Sequence, residues 1–518
     1  MPATFATLPR GIMENILQHL PPKDQARAAC SHPLWRQAAE PAQLHYFAGR
    51  GDEDRVLRLL MRDNVQRNIN NLHPFTALSV AAARGHSQVV KLLLAARASP
   101  NVAGGRCATP LMFAAQGGHA TEARLLLLAG GAVDAVDELG NSALMLAVKS
   151  AVRYGTALYT VGVLLDAGAS LVLHNADGDY VLTWTCARTY ESRNLPLLGR
   201  LLAASTPQAV NSRDRSGKTA LMHAAGGGCD TATLDALLAA GADPHLADED
   251  GSTALMFAAK SHAATAVEWL LAQQADPNAV DGLGQTVLIH GVASISRSDN
   301  ILRMLAAGAD PHKLDNGGKT VLIYAAACGF TAAIKVLITA GVDIQAADHE
   351  GRTTLSRAAV HGSVGSVKRL LSAGILLDRS GSSALFQVIE ICPRSEPCSH
   401  AKIMDMLVEA GASAGASPNA AFVLHAARGE LLAINTLLAG GLSVDFVTAG
   451  GVSALMAAAR YGRVSTVKRL LAAGASLALI DHNHISALGY ASYPKAASMK
   501  VVKLLVEALV EVGAAEIS

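Results

Sequence analysis

Aromatic residues are scarce in this chain: Phe, Tyr and Trp supply 4% of its 518 positions, although 51% are apolar. The apolar content is therefore mostly Ala, Leu and Val, which argues against several ordinary globular cores and suits thin, closely packed helices. Net charge is also nearly absent. Lys plus Arg number 43 against 42 Asp plus Glu, a formal charge of +1, so no general attraction to nucleic acid or anionic lipid is expected. The seven cysteines, from Cys30 to Cys398, are odd in number and lack framework spacing. They read as reduced thiols in an intracellular compartment. Long apolar runs are missing too. Mean hydropathy is +0.28, yet stretches such as Leu125–Val133 stop well short of the roughly 20 residues that span a bilayer. The N-terminal MPATFATLPRGIMENILQHL carries Arg10 and Glu14 inside its apolar stretch, and the final EIS is not a lipidation box. A soluble, signal-free chain is expected, and its aliphatic richness excludes a disordered one.

What the chain has is a repeat. Thr or Ser, one residue, Leu, a bulky apolar residue and then Ala-Ala recur from end to end. The string appears as TALSVAAA from Thr76, TPLMFAAQGGH from Thr109, SALMLA from Ser142, TALMHAA from Thr219 and TALMFAA from Thr253. It continues as TVLIHG from Thr286, TVLIYAA from Thr320, TTLSRAA from Thr353, SALF from Ser383, SALMAAARYG from Ser453 and SALGYA from Ser486. YVL from Tyr180 and FVLHAA from Phe422 are degenerate copies that fill the gaps. Spacings average about 34 residues, a solenoid period. About 16 residues on, each unit carries a Leu-Leu pair followed by Ala-Gly-Ala-Asp or a variant, as in LDALLAAGADPH from Leu234. The unit reads as a short Ala-rich helix capped by the Thr or Ser hydroxyl, a tight turn and a second helix burying its Leu pair. A left-handed Gly ends the second helix, and an Asp-x-x-Gly turn such as Asp248–Gly251 enters the next unit. In the third unit, Leu144 lies farther from Leu164-Leu165 than elsewhere, and in the tenth Leu385 lies farther from Leu407. The extra residues are expected between the two helices. Weak units near 177–211 and 383–438 are expected to be breaks in the array.

This combination resembles the ankyrin repeat, and about thirteen units over 70–518 carry it, with 43–69 as a degenerate capping half-repeat. The fold class that the resemblance implies is all-α: a solenoid of helix-turn-helix units with short β-hairpin loops. Only Thr109–Leu111 keeps the family's Thr-Pro-Leu, and Met112, Met145, Met222, Met256 and Met456 stand where the family has His. In the family that His links neighbouring repeats by hydrogen bonds, so more reliance on apolar packing is expected here.

The first residues do not repeat. Ile12, Ile16, Leu17 and Leu20 follow helical spacing until Pro21-Pro22, a small-residue stretch ends at Cys30, and Leu34, Trp35, Ala38 and Ala39 begin a third helix. Leu8-Pro9, Ile12, Ile16-Leu17, Leu20-Pro21, Asp24, Ala28–Cys30 and Trp35-Arg36 together resemble an F-box over 6–42, a small three-helix segment. Gln25 departs from the usual Leu, and Ala26 and Ala28 are smaller than common. The resemblance implies docking onto the Skp-family linker subunit of a cullin–RING ubiquitin ligase through Leu8, Pro9, Ile12, Ile16, Leu20, Pro21, Asp24 and Trp35. The plainer alternative is a helical cap on the first repeat.

Several tempting motifs fail. Gly217-Lys218-Thr219 and Gly318-Lys319-Thr320 lack the earlier Gly of a phosphate loop, whose place is taken by Ser212 and Lys313. Cys392, Cys398 and His400, or His482 and His484, lack the four ligands of a structural zinc site. No catalytic residue, cofactor or metal is expected, and no membrane insertion. Target-binding candidates, by their register at hairpin tips and first-helix edges, are Arg215, Lys218, Glu249, Asp250, Lys260, Lys319, Tyr324, His349, Arg352, His361, Arg460 and Tyr461, with Asn316 beside them. The reading is a monomeric adaptor, cytoplasmic or nuclear, that holds an unidentified target protein for a ubiquitin ligase. A plain ankyrin scaffold is the alternative.

Overall fold

The computed structural model describes residues 43–67, 69–70, 75–155, 157–187, 195–261, 263–293, 298–377, 384–385, 388, 397–411, 418–448, 450–492 and 499–515. The expected docking residues Leu8, Pro9, Ile12, Ile16, Leu20, Pro21, Asp24 and Trp35 lie outside them, as do Cys392 and much of the weak unit near 383–438. The chain forms two compact units, Met1–Ala258 and Ala259–Ser518. The division falls inside the helix Ala254–Lys260 and at neither weak unit.

Within each unit, pairs of short helices repeat. In the first unit, Ala77–Ala83 pairs with Ser87–Ala95, Pro110–Gly117 with Ala120–Leu128, and Ala220–Gly227 with Thr231–Ala239. In the second, Val321–Ala327 pairs with Thr331–Thr339, Thr354–His361 with Val364–Ser372, and Ala454–Arg460 with Val464–Ala472. The first helix of each pair is called inner and the second outer. Inner helices begin where the sequence places a hydroxyl: Thr76, Thr109, Ser142, Thr219, Thr320, Thr353, Ser453 and Ser486 each accept a backbone N–H from three residues on. Their paired alanines, such as Ala114-Ala115, Ala224-Ala225 and Ala325-Ala326, are fully enclosed, so inner helices of neighbouring repeats meet closely.

The outer helices refine one expectation. Only the first Leu of each pair is fully buried, at Leu237, Leu270, Leu337, Leu370 and Leu470; the following Leu238, Leu271, Ile338, Leu371 and Leu471 are half-buried. Adjacent helical residues point about 100° apart, so both cannot face the same neighbour. The outer helices end on left-handed glycines such as Gly241, Gly308 and Gly474. At two such ends Arg97 and Gln274 take positive φ instead.

The third unit is corrected. Its extra residues lengthen the inner helix, which runs Ala143–Tyr154 and stops at Gly155 with φ 72°. They do not form a loop between the helices, because nothing before Gly155 interrupts the helical run. Six of the described hairpins contain one antiparallel bridge, as at Ala247 with Thr253 and Ala347 with Thr353. Among the described residues they are turns more than strands.

Candidate protein-binding face

Most hairpin turns are built by one carboxylate, with Asn175 and Thr448 in its place in two of them. Asp214 Oδ1 accepts the N–H of Ser216 and of Lys218, both at 2.9 Å, while its own N–H donates to the Lys218 carbonyl. Asp248, Asp281, Asp315, Asp348 and Asp481 repeat this arrangement. The residue after the Asp donates its N–H to the preceding turn: Glu249 to Ser216 O, Asn316 to Leu283 O and His349 to Gly317 O, at 3.0 to 3.2 Å. Backbone polarity at these tips is thereby satisfied, and only side chains remain to meet a partner.

The second carboxylate oxygen reaches the inner helix nine residues on. His223 Nε2–H donates to Asp214 Oδ2 at 2.7 Å and His290 Nε2–H to Asp281 Oδ2 at 2.9 Å. Tyr324 and Tyr490 hydroxyls donate to Asp315 and Asp481 at 2.8 and 2.6 Å. Burial pushes Asp214 and Asp481 up, but the hydrogen bonds from His223, Lys218 and Ser216, and from Tyr490, Ile485 and Asn483, outweigh it and hold both below the usual carboxylate range. Burial and the same carboxylates push the phenols of Tyr324 and Tyr490 well up.

Those partners belong to a row at the fourth residue after each cap. In the first unit it reads Val80, Phe113, Leu146, Trp184, His223 and Phe257; in the second, His290, Tyr324, Arg357, Ala457 and Tyr490. All except Ala457 and Tyr490 are half-buried, between the enclosed residues on either side. The sequence reading took only Tyr324 from this row. The signal was present as the variable slot of an otherwise constant string. In the first unit the row supplies rings for cations: the Lys149 ammonium lies 5.9 Å from the Trp184 ring centre, and Lys218 lies 5.0 Å from that of Phe257. A small, largely apolar hollow is lined by Met145, Val148, Asn175, Tyr180, Val181 and Trp184.

The expected contact residues fall into three groups. Arg215, Glu249, Asp250 and His349 are exposed at hairpin tips with Asn316, and Lys260 and His361 are exposed at inner-helix ends. Lys218, Lys319 and Tyr324 are half-buried, with the Lys319 ammonium 5.6 Å from the Tyr324 ring centre. Arg352 is engaged in the fold, by Asp348 at 2.8 Å and by Glu350. The Tyr461 hydroxyl donates to Val388 O at 3.4 Å. Arg460 is the correction: expected at an exposed edge, it is 5% exposed and lies between the rings of Tyr461 and Tyr490. Tyr490 comes from the next repeat, and the stacking of that repeat is what covers it.

Other residues serve the fold. His86, His119 and His400 place Nε2 against Gly49 O, Ala83 O and Val360 O, tying each outer helix to the preceding repeat. The slot where His was replaced by Met keeps part of its polar role, because Met112, Met222 and Met456 sulfurs accept the capping residue's N–H at 3.3 to 3.4 Å. Reliance on apolar packing is therefore incomplete. Among the described residues no cluster of His, Cys, Asp or Glu could hold a metal ion, and no helix is long and apolar enough to cross a membrane.

Comparison with protein families agrees with this geometry. A family model of ankyrin repeats (three copies) matches 182–281, 227–315 and 289–380. Another of ankyrin repeats (many copies) matches 78–128, and a single ankyrin repeat matches 450–482. The F-box domain model matches 5–44, the segment holding Leu8 through Trp35. No curated protein matches the chain.

Proposed function

Because the chain is an ankyrin-repeat protein with an N-terminal F-box domain, a pairing of two non-catalytic interaction modules, we propose that it is the substrate-recognition subunit of an SCF-type cullin–RING ubiquitin ligase. The observation that carries this reading is the F-box match over 5–44, directly ahead of the helical array. Leu8, Pro9, Ile12, Ile16, Leu20, Pro21, Asp24 and Trp35 dock on the Skp-family linker subunit. The repeats hold a target protein through the tip residues Arg215, Glu249, Asp250 and His349 and the half-buried inner-helix row. Tyr324 belongs to that row, and Lys218, Lys260, Lys319 and His361 flank the surface.

The mechanism is proximity. Holding the target near the charged conjugating enzyme makes lysine transfer effectively intramolecular, with effective concentrations on the order of millimolar for short flexible tethers. No catalytic group of this chain is needed. The compartment consistent with this role is the cytoplasm or nucleus.

The test is capture by purified Skp-family subunit. Intact protein should be retained, and a chain lacking residues 1–48 should not; equal behaviour of the two would leave a plain ankyrin scaffold as the better reading. Leu8→Ala with Pro9→Ala should weaken capture while leaving the helical signal of the repeats intact.

A further inference from the structure

Among the described residues of the second compact unit, four hairpin carboxylates of this kind stand nine residues before a member of the inner-helix row, and three of them bond to it. Asp281 takes His290, Asp315 takes Tyr324 and Asp481 takes Tyr490. At Asp348 the corresponding residue is Arg357, but Arg352 Nε already occupies Oδ2 at 2.8 Å. Arg357 is thus displaced from its own turn, and among the described residues its enclosed Nε has no acceptor.

A second guanidinium in the same unit is in the same condition. Arg460, 5% exposed, has ring faces at 5.6 and 5.7 Å, yet its Nη1 has no hydrogen-bond acceptor. The carboxylate closest in the register, Asp481, is spent on Tyr490, Asn483 and Ile485. Among the described residues Arg428 Nε is enclosed without a hydrogen-bond acceptor as well, but its guanidinium has carboxylates beside it, Asp405 at 3.4 Å and Glu430 at 3.0 Å, and Arg463 donates to Ala427 O. Arg357 and Arg460 stand four and seven residues after their caps, Thr353 and Ser453, so they occupy the same face of their inner helices. An enclosed guanidinium nitrogen left without an acceptor is costly to the fold, and a carboxylate that arrives with a partner and takes up the guanidinium lowers the cost.

We propose that Arg357 and Arg460 receive carboxylate side chains from an acidic, extended segment of the captured protein. This deepens, and rests on, the reading of the array as a target-binding surface. A carboxylate fits better than a phosphate, because Arg460 lies against the Tyr461 and Tyr490 rings and the Arg352 beside Arg357 is already held by Asp348, whereas phosphate sites gather several free cations. Reaching Arg460 takes a movement of the half-buried Tyr461 ring.

The experiment selects ligands from a display library of random dodecapeptides on the full-length protein, then measures the winners against Arg357→Gln and Arg460→Met. Selected peptides should be enriched in Asp and Glu. Each substitution, and each exchange of the peptide's acidic residue for its amide, should weaken binding about tenfold or more, without additivity between the matched pair. Acid-free winners that bind wild type and variants alike would overturn the proposal while leaving the array as a capture surface. Failure of every peptide to bind would overturn both. A phosphoserine peptide binding about tenfold tighter than its glutamate counterpart would overturn the carboxylate as ligand. Neither variant should quicken amide exchange across 353–361 or 453–463, because no acceptor in the fold is lost and an unpaired enclosed nitrogen is removed. Exchange across 453–463 quickened more than about tenfold in Arg460→Met would assign that residue to stability and overturn its part of the proposal.

Discussion

Asp481 offers the clearest test of how the hairpins are held. It is almost fully buried; Oδ1 accepts N–H groups of Asn483 and Ile485 at 3.0 and 2.7 Å, and Oδ2 accepts the Tyr490 hydroxyl at 2.6 Å. Asp481→Ala removes an ionised acceptor and strands a buried hydroxyl. Each hydrogen bond to a charged group contributes about 1.5–3 kcal/mol, and the contributions of one carboxylate are not additive, so a loss of about 3 kcal/mol is expected. A chain of many repeats does not unfold in one step, which makes a global unfolding energy the wrong readout. Amide exchange measured by mass spectrometry on peptides spanning 476–492 reads the local opening instead. At 1.4 kcal/mol per factor of ten, exchange there should quicken about 100-fold, with repeats of the first unit unchanged. Asp481→Asn keeps one oxygen for the turn and should fall between. Exchange in Asp481→Ala within about threefold of the parent would refute the idea that these carboxylates organise the turns.

Three further outcomes follow from the same geometry. Asp214, Asp348 and Asp481 are held below the usual carboxylate range, so their stabilisation is full above the unfolded value of about 3.9 and is lost as pH falls through the lower folded values; helical signal should therefore survive to about pH 4 and collapse below it, and a flat acid titration would count against this. Leu237→Ala, at a fully enclosed site, should cost about 3 kcal/mol, and Leu238→Ala, half-buried, under about 1, as read by exchange across 231–242; equal costs would mean the pair shares its burial. Gln274→Gly relieves a left-handed residue at φ 60°, worth about 1–2 kcal/mol, against roughly 0.4–1 for the added freedom of the unfolded chain, so slightly slower amide exchange across 264–276 is expected.

The sequence by itself determined the period, the helix starts and ends, and the presence of a non-repeating segment ahead of the array. Those features are local: a Thr hydroxyl such as that of Thr219 caps the helix that follows it, and Gly241 ends the one before it, whatever the neighbours are. Tertiary structure alone decided who receives a shared acceptor. Nothing within reach of Arg352, Arg357 or Asp348 in the string announces that the first arginine wins the carboxylate and the second goes without. Nor does the string RYG say that Arg460 is roofed by a tyrosine thirty residues later. Burial of Leu237 over Leu238, the Met222 sulfur accepting a capping N–H, and the half-exposed row from Phe113 to Arg357 have the same origin. Each depends on how closely one repeat approaches the next. That distance is set by the stacked alanines together and is written in no single unit.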